Sequence, residues 1–395
     1  MNSSEISKAR IAILVFPFAA QHLFDWTSKV SQVVSSVAAR TFVVSGGIPD
    51  TVVWPDGVTV RDMGVRLHYL REKKPTWLSA LLWIGKALAA QVLMAVEVFK
   101  LRDQIDGIFC AMGIYYQLPI LVARLLNKKV VSASMGLYAL KAKLSYGNVM
   151  AAFTSLLTRL SFALSHLVIV ESFQLGTYKD LIPFRSKLCN GALFLETPER
   201  FTITVPVSRR EERVGFIGRL VEEKGILDFI RAIPLVLEHR PELQILIVGT
   251  GILDPTVEAA LAYQPWASHV RWLHRIDHAQ IPEVMNQLKL LVVPSSDEGL
   301  PNIILEAMGC GTPVLATAAG GIPDLVIHEE TGFMLADKSP EAIAEAITQA
   351  LSYPDLERIT TRAKAYGEKV YSLEGACRRY KAVLDRMVGD VAIQA

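Results

Sequence analysis

Glu298 and Glu306, with seven residues between them in the run E-G-L-P-N-I-I-L-E, are the two acids of this sequence best placed to do chemistry. The apolar run Lys289 to Pro294 (K-L-L-V-V-P) reads as a buried strand, and Asn302 to Gly309 reads as a helix stopped by Gly311 and Pro313. Glu298 therefore falls on the connecting loop and Glu306 on the helix. Backbone N–H groups at a helix start carry partial positive charge and attract phosphate, which leaves neighbouring carboxylates suited to hold hydroxyl groups. A ligand with both phosphate and sugar hydroxyls fits.

A second set lies upstream, where the strand-like R-V-G-F-I-G ends in Gly218-Arg219-Leu220 and runs through Val221-Glu222-Glu223 to Lys224-Gly225. Gly218 lets the backbone turn and approach a ligand without a side chain in the way. Arg219 offers a planar fork that grips phosphate through two hydrogen bonds, and Lys224 adds a point charge. The two cations suffice to neutralise a diphosphate. With no Asp-x-Asp pair anywhere in the chain, no divalent ion is expected.

Taken together, these pieces resemble the retaining nucleotide-sugar glycosyltransferases of family 4, a glycogen-synthase-like group with the GT-B fold. The matching pieces are F-I-G-R-L-V-E-E-K-G from Phe216, I-V-G-T-G from Ile247, E-G-L-P-N-I-I-L-E-A-M-G-C-G-T-P-V from Glu298 and A-G-G-I-P-D-L-V from Ala319. They cover most of the C-terminal half, and their order and spacing are more specific than any one alone. The resemblance implies that Arg219 and Lys224 bind the donor diphosphate, that Glu306 hydrogen-bonds the ribose, and that Glu298 faces the transferred sugar. Gly218, Gly249, Gly251, Gly299, Leu300, Asn302 and Ile303 complete the implied donor site, with backbone amides near Gly299 to Ile303 contacting sugar or phosphate. Read from the residues alone, Gly249 and Gly251 can equally close a strand, and Asp297 is either a helix cap or a site residue.

The activity implied is transfer with retention from a nucleotide-sugar donor to a sugar or lipid-linked acceptor, with Glu298, Arg219 and Lys224 as the catalytic set and no cofactor or metal. The leaving phosphate can itself accept the acceptor's proton, so no side-chain base is demanded. Two rivals stay open: a catalytically silent nucleotide-sugar-binding protein and a GT-B nucleotide-sugar epimerase. The first half feeds this doubt. Many relatives carry a glycine pair after the first strand, where this chain has Phe16-Pro17-Phe18-Ala19-Ala20-Gln21-His22. Many also carry a histidine after the strand matching Gly107 to Ala111, where this chain has Met112-Gly113-Ile114-Tyr115-Tyr116. His22, His68 and His166 are the candidates to substitute, each more often surface or structural.

These groups need a scaffold, and the chain supplies alternating strand-like and helix-like segments. Ile11 to Phe16, Thr41 to Ser45, Gly107 to Ala111, Lys129 to Ala133 and Leu167 to Glu171 are β-rich; the pattern restarts at Arg213 to Ile217, Gln244 to Gly249, His269 to Leu273, Lys289 to Pro294 and Pro313 to Thr317. The expectation is α/β: a GT-B arrangement of two doubly wound Rossmann-like domains facing a central cleft, with ligands beyond the carboxyl ends of the strands. A length of 395 residues suits two domains. Their expected limits are 1–200 for an acceptor domain, 201–212 for a linker and 213–370 for the donor domain. In 371–395 the resemblance implies a helix crossing back to the first domain, where the pattern alone reads as an amphipathic surface helix of the second.

The net charge is only +2, yet residues 1–205 hold 22 Lys+Arg against 13 Asp+Glu, and the remainder 19 against 26. A basic first half suits an anionic membrane surface or phosphorylated acceptors, and ordinary solvated faces carry the same excess. No recognition motif or interleaved aromatic run supports nucleic acid. Thr76 to Phe99 is apolar apart from Ser79, Lys86, Gln91 and Glu97, and mean hydropathy is +0.32. It reads as a core helix, a helix embedded in a membrane surface, or a span, the last penalised by its ionisable residues. The four cysteines form no C-x-x-C pair, and the polar N-terminus lacks the apolar stretch of a secretory signal. A cytoplasmic protein is expected, peripheral on the inner face of the cell membrane where it binds lipid.

Overall fold

The structure, a computed structural model, describes residues 7–17, 21–48, 52–65, 77–111, 115–134, 148–172, 174, 181–192, 194–195 and 197–389. The chain divides into two compact units, Met1–Leu193 with Leu373–Ala395, and Phe194–Ser372.

In the first unit the order is β1 (Ser7–Leu14), α1 (Gln21–Val37), β2 (Ala38–Ser45), β3 (Val58–Asp62), α2 (Trp77–Lys100), β4 (Gly107–Cys110), α3 (Gln117–Leu125), β5 (Lys129–Ser134), α4 (Asn148–Leu164), β6 (Leu167–Val170) and β7 (Leu188–Asn190). The strands pair in parallel in the order β3-β2-β1-β4-β5-β6-β7. Central strands such as G-I-F-C and L-V-I-V are buried along their whole length, as a sheet covered on both faces requires. β3 and β7 escape the strand pattern because one is half exposed and the other three residues long.

The second unit runs β8 (Arg213–Ile217), α5 (Ile226–His239), β9 (Gln244–Val248), α6 (Asp254–Leu261), β10 (Val270–Leu273), α7 (Ile281–Gln287), β11 (Leu290–Val293), α8 (Asn302–Gly309), β12 (Val314–Thr317), β13 (Phe333–Leu335), α9 (Pro340–Leu351) and α10 (Leu356–Val370). Its parallel order is β10-β9-β8-β11-β12-β13. Both sheets are doubly wound: the order grows outward from β1 and β4 in one unit, and from β8 and β11 in the other. Each such pair marks a point where successive crossovers leave in opposite directions, opening a crevice at the carboxyl ends.

The contact division falls at Phe194, and residues 201–212 do not behave as a solvated connection. Phe201, Val207 and Arg210 are buried, because the segment lies against the second unit's helices. The last helix, α11 (Leu373–Val388), packs against α1, β1 and β5 of the first unit. Its buried Tyr380 stacks on Phe109 and donates to the Gly191 carbonyl at 3.2 Å. In α2, Ala87, Ala90, Gln91, Met94 and Val98 are buried while Leu88, Val92 and Phe99 are exposed, so only one side of that helix is core. Among the described residues no helix is long and apolar enough to cross a membrane.

Candidate functional site

Buried between β8 and β12, β11 (L-L-V-V) ends at Pro294, which has no N–H to continue a ladder. The chain then turns through Ser295 and Ser296 to Glu298 and enters α8 at Pro301, the N-cap, so Asp297 does not cap that helix. At the far end Gly311, with φ 60°, lets Thr312 N bond the Ala307 carbonyl at 2.8 Å and Gly311 N the Met308 carbonyl at 3.2 Å, a Schellman stop. Glu298 and Glu306 are thus carried by one strand–loop–helix unit. Both are buried, at 9% and 7% exposure.

A buried carboxylate needs partners. Glu298 accepts two hydrogen bonds from Lys224 Nζ, at 2.6 and 2.7 Å, and one from Ser295 Oγ at 2.6 Å. Lys224 reaches it from a short 3₁₀ turn, Glu222–Lys224, which is tied to the loop after β11 by Ser296 N donating to the Glu223 carbonyl at 2.8 Å. This contact joins the exits of β8 and β11, at the switch point of the sheet. Glu306 Oε1 lies 2.9 Å from His278 Nε2, on a turn after β10 that a capping box of Asp277 and Gln280 sets up. With the carboxylate accepting, the ring proton sits on Nε2.

Arg219 follows β8 but lies mostly in solvent, 3.4 Å from Glu223. Gly249 follows β9 with φ 140°, and a methyl group there would collide with the Gly218 carbonyl. Gly249 therefore serves close packing of two strand exits, while a Cβ at Gly218 would meet only the Phe216 ring at 3.9 Å and leaves room for another molecule. Gly251 presses on the Leu220 carbonyl. Gly299 accepts from Gly321 N at 2.8 Å, and Gly320, at φ 54°, has no room for a Cβ against the Glu298 carbonyl. Leu300 precedes the helix, and Asn302 and Ile303 are its first residues, whose N–H groups have no carbonyl one turn back to bond.

Of the sequence-derived residues, Lys224 and Glu298 are in direct contact, Gly218 and Gly249 pack backbone to backbone, and Glu306 and Arg219 are held by other partners. Sequence reasoning missed Ser295, His278 and Gly320. His278 had a signal in D-H-A-Q, whose Asp and Gln form the capping box; nothing local tied it to Glu306, 28 residues on.

In the first unit, His68 and the side chain of His22 lie outside the described residues. His166 precedes β6 and so sits at the amino edge of the sheet, away from where ligands bind. It accepts from Val130 N at 3.0 Å and faces Arg124, and burial, then Arg124, Lys129 and Lys187, pull its pKa down to about 4. That is a structural role. The departures at residues 18–20 and 112–114 are outside the described residues; beside them Phe16 N donates to Tyr116 Oη at 2.8 Å and the Phe16 and Tyr115 rings meet at 5.2 Å. All four cysteines are buried and unpaired, and burial raises the thiol of Cys310 to about 12.

Residues 211–353, which hold every one of the candidate side chains above in the second unit, match the family described as glycosyl transferases group 1. That segment is similar to the group 1 glycosyltransferases. An uncharacterized glycosyltransferase of Methanocaldococcus jannaschii, MJ1607, is 31% identical over 193 residues, 47% of this chain and 49% of that protein. A D-inositol 3-phosphate glycosyltransferase of Streptomyces scabiei is 31% identical over 163 residues, 39% of this chain and 36% of its own. The match thus spans about half or less of the length of these curated relatives. The fold extends further: HepE of Anabaena in complex with UDP superposes with TM-score 0.70 at 17% identity, over 95% of this chain and all (100%) of that one. Sucrose-phosphate synthase of Thermosynechococcus elongatus gives 0.70 at 17% identity, over 97% and 100%. Both units are parallel-sheet Rossmann-like domains, and the fold is GT-B.

Proposed function

We propose that the protein transfers a sugar from a nucleotide-diphosphate donor to an acceptor hydroxyl, with retention and without a metal ion. One observation carries this reading: the Lys224–Glu298 pair at the switch point of the second unit's sheet, beside the amides that open α8. Lys224, Arg219 and those amides are suited to the pyrophosphate, whose charge grows as the sugar leaves. Glu306, oriented by His278, is suited to the ribose hydroxyls. Glu298 offsets positive charge on the oxocarbenium-like sugar, and the leaving phosphate takes the acceptor's proton. The acceptor is a sugar or a lipid-linked sugar. The HepE structure with UDP supports a nucleoside diphosphate as the group recognised.

Release of nucleoside diphosphate from UDP-, GDP- and ADP-sugars, with and without a lipid extract, tests the reading. Acceptor-dependent release is expected with one base. Donor conversion without acceptor would instead mark an epimerase, and binding without turnover a silent receptor. Glu306→Gln should raise the donor KM and Arg219→Ala should lower kcat, with EDTA leaving both untouched; near wild-type activity in both variants overturns the assignment.

A further inference from the structure

The strand register sorts the side chains of β8, β9 and β10 onto two faces. Val214, Phe216, Ile245, Ile247, Val270 and Trp272 belong to the second unit's core or pack against it. Arg213 and Gly215, Gln244 and Leu246, and Arg271 and Leu273 share the opposite face. A parallel sheet is ordinarily covered on both faces. Here the cover is α7, only seven residues long, with Leu288 after it filling the space beside Gly215, where a Cβ would lie 2.4 Å from Leu288 Cδ1. Over β9 and β10 that cover is incomplete, and a cavity of about 290 Å³ remains between the sheet and α7. All of its lining residues belong to the second unit, and none is a proposed donor residue.

Leu246 and Val284, both buried, and the half-buried Leu273 and Ile276 give the cavity an apolar floor. Arg271 on β10 and Glu283 on α7 stand on two of its walls, both exposed, and neither has an ion-pair or hydrogen-bond partner among the described residues. Arg213, also in the wall, is already engaged by Glu211 at 2.7 Å and by Gln287 at 3.0 Å. Glu211 and Glu283 thus match the two arginines in number, and a phosphate dianion finds no surplus of cations. What stays unpaired is one guanidinium and one carboxylate, facing an apolar floor. An α-amino acid with an apolar side chain complements all three through its carboxylate, its ammonium and its hydrocarbon. The volume, just below the roughly 300–1,000 Å³ of drug-sized sites, suits a ligand that small.

The same cavity touches the turn that serves Glu306. Ile276 and Gln280 line it, and Gln280 Oε1 accepts from Asp277 N at 3.0 Å, half of the capping box that sets His278 2.9 Å from Glu306. A second cavity, of about 570 Å³, lies on the other flank of α7 and is lined by Ala279 and Pro282. With voids on both sides the turn has few neighbours to hold it, and a ligand that fills one side restricts it.

We propose that this cavity binds a small α-amino acid with an apolar side chain, its carboxylate on Arg271 and its ammonium on Glu283, and that occupancy braces the turn presenting His278 to Glu306. This goes beyond the transferase reading, since neither part needs a nucleotide; a tighter grip on the donor through Glu306 is the consequence that rests on that reading. Calorimetry on the full chain with L-valine, L-leucine and L-methionine, and with L-leucinamide and N-acetyl-L-leucine, reads the first part. Binding is expected of at least one free amino acid and of neither blocked compound. Arg271→Gln and Glu283→Gln should each weaken it by about tenfold or more. Because both side chains are exposed, the thermal melts of the variants should match the parent. Hydrogen exchange reads the second part: saturation with the amino acid should slow the amides of residues 277–281 by about fivefold, and not in the Arg271→Gln chain. Absence of binding by all three amino acids overturns the proposal, as does equal binding of a blocked compound or undiminished binding by both folded variants. Inorganic phosphate that binds, is lost with Arg271→Gln and tightens with Glu283→Gln overturns it in favour of an anion site. Amino-acid binding with unchanged exchange overturns the bracing. A chain that binds the amino acid and slows the turn yet binds no nucleoside diphosphate upholds this proposal and removes the transferase reading instead.

Discussion

Lys224 satisfies both oxygens of a carboxylate that the fold has removed from water, and that dual engagement gives its substitution two separable consequences. Lys224→Met leaves Glu298, with a side chain 8% exposed, bonded to Ser295 alone. Breaking a buried pair costs about 3–5 kcal/mol; with the Lys224 side chain 22% exposed, roughly 2 kcal/mol is expected. Adding Glu298→Gln should return most of that stability by removing the unpaired charge. Turnover should stay down by about a hundredfold or more in both variants, since the cation proposed to face the phosphate is gone. Urea unfolding beside nucleotide release reads both, and a double variant no more stable than the single would show that Glu298 does not depend on Lys224. The two partners were legible in the sequence because each follows an apolar run at a fixed distance. Their contact was not: 74 residues separate them, and the parallel register of β8 with β11 brings them together.

Elements carry these side chains, and the stretch that read as a linker turns out to fasten one of them. Arg210 is buried and donates to the Val205, Leu288 and Cys310 carbonyls and to Thr312 Oγ1, at 2.7–2.9 Å. It thereby ties α7 to the stop of α8, the helix that holds Glu306. Burial pulls the guanidinium down to about 10, so it remains charged at neutral pH. Arg210→Ala orphans several buried carbonyls and should cost roughly 3 kcal/mol or more, measured by denaturant unfolding; a loss under 1 kcal/mol would return the segment to the status of a loose connection. A polar run hid this role, because composition cannot distinguish a solvated arginine from one satisfied by carbonyls. β13 was missed for a related reason, its F-M-L being too short to show a period.

His166, which follows α4, links α3 and β5 through Arg124 and Val130, and it gives the first unit a pH dependence. Its folded pKa, about 4, lies below the ordinary histidine value, so the unfolded chain binds the extra proton between about 6.5 and 4. The stabilisation is complete above about pH 6.5, declines as pH falls through that window and levels off below 4. Discounted for partial exposure, it amounts to about 2 kcal/mol. His166→Gln should flatten stability against pH over this range; an unchanged slope would assign it to other groups.

At the scale of the molecule, the chain leaves its first unit at Phe194 and returns to it with α11 at Leu373. Leu195 N donates to the Tyr371 carbonyl at 3.0 Å, so the second unit begins and ends at one place. A cluster of its buried hydrophobic residues runs from Val207 to Ile359, all of them within residues 194–372. Two sheets were legible from alternation alone. The exchange of the last helix was not, since an amphipathic pattern fixes which face is buried and not against what. A fragment of residues 194–372 should consequently fold in one cooperative transition. It holds all the proposed donor residues, so saturation with the preferred nucleoside diphosphate at a hundred times Kd should stabilise it by about 2.7 kcal/mol. For a domain of this size that corresponds to a Tm rise of roughly 5–10 °C. Transfer to an acceptor should be absent, because the first unit is missing. If the fragment folds and its Tm ignores a nucleotide that stabilises the full chain, the first unit contributes to nucleotide binding and the assignment of the donor site to the second unit alone fails.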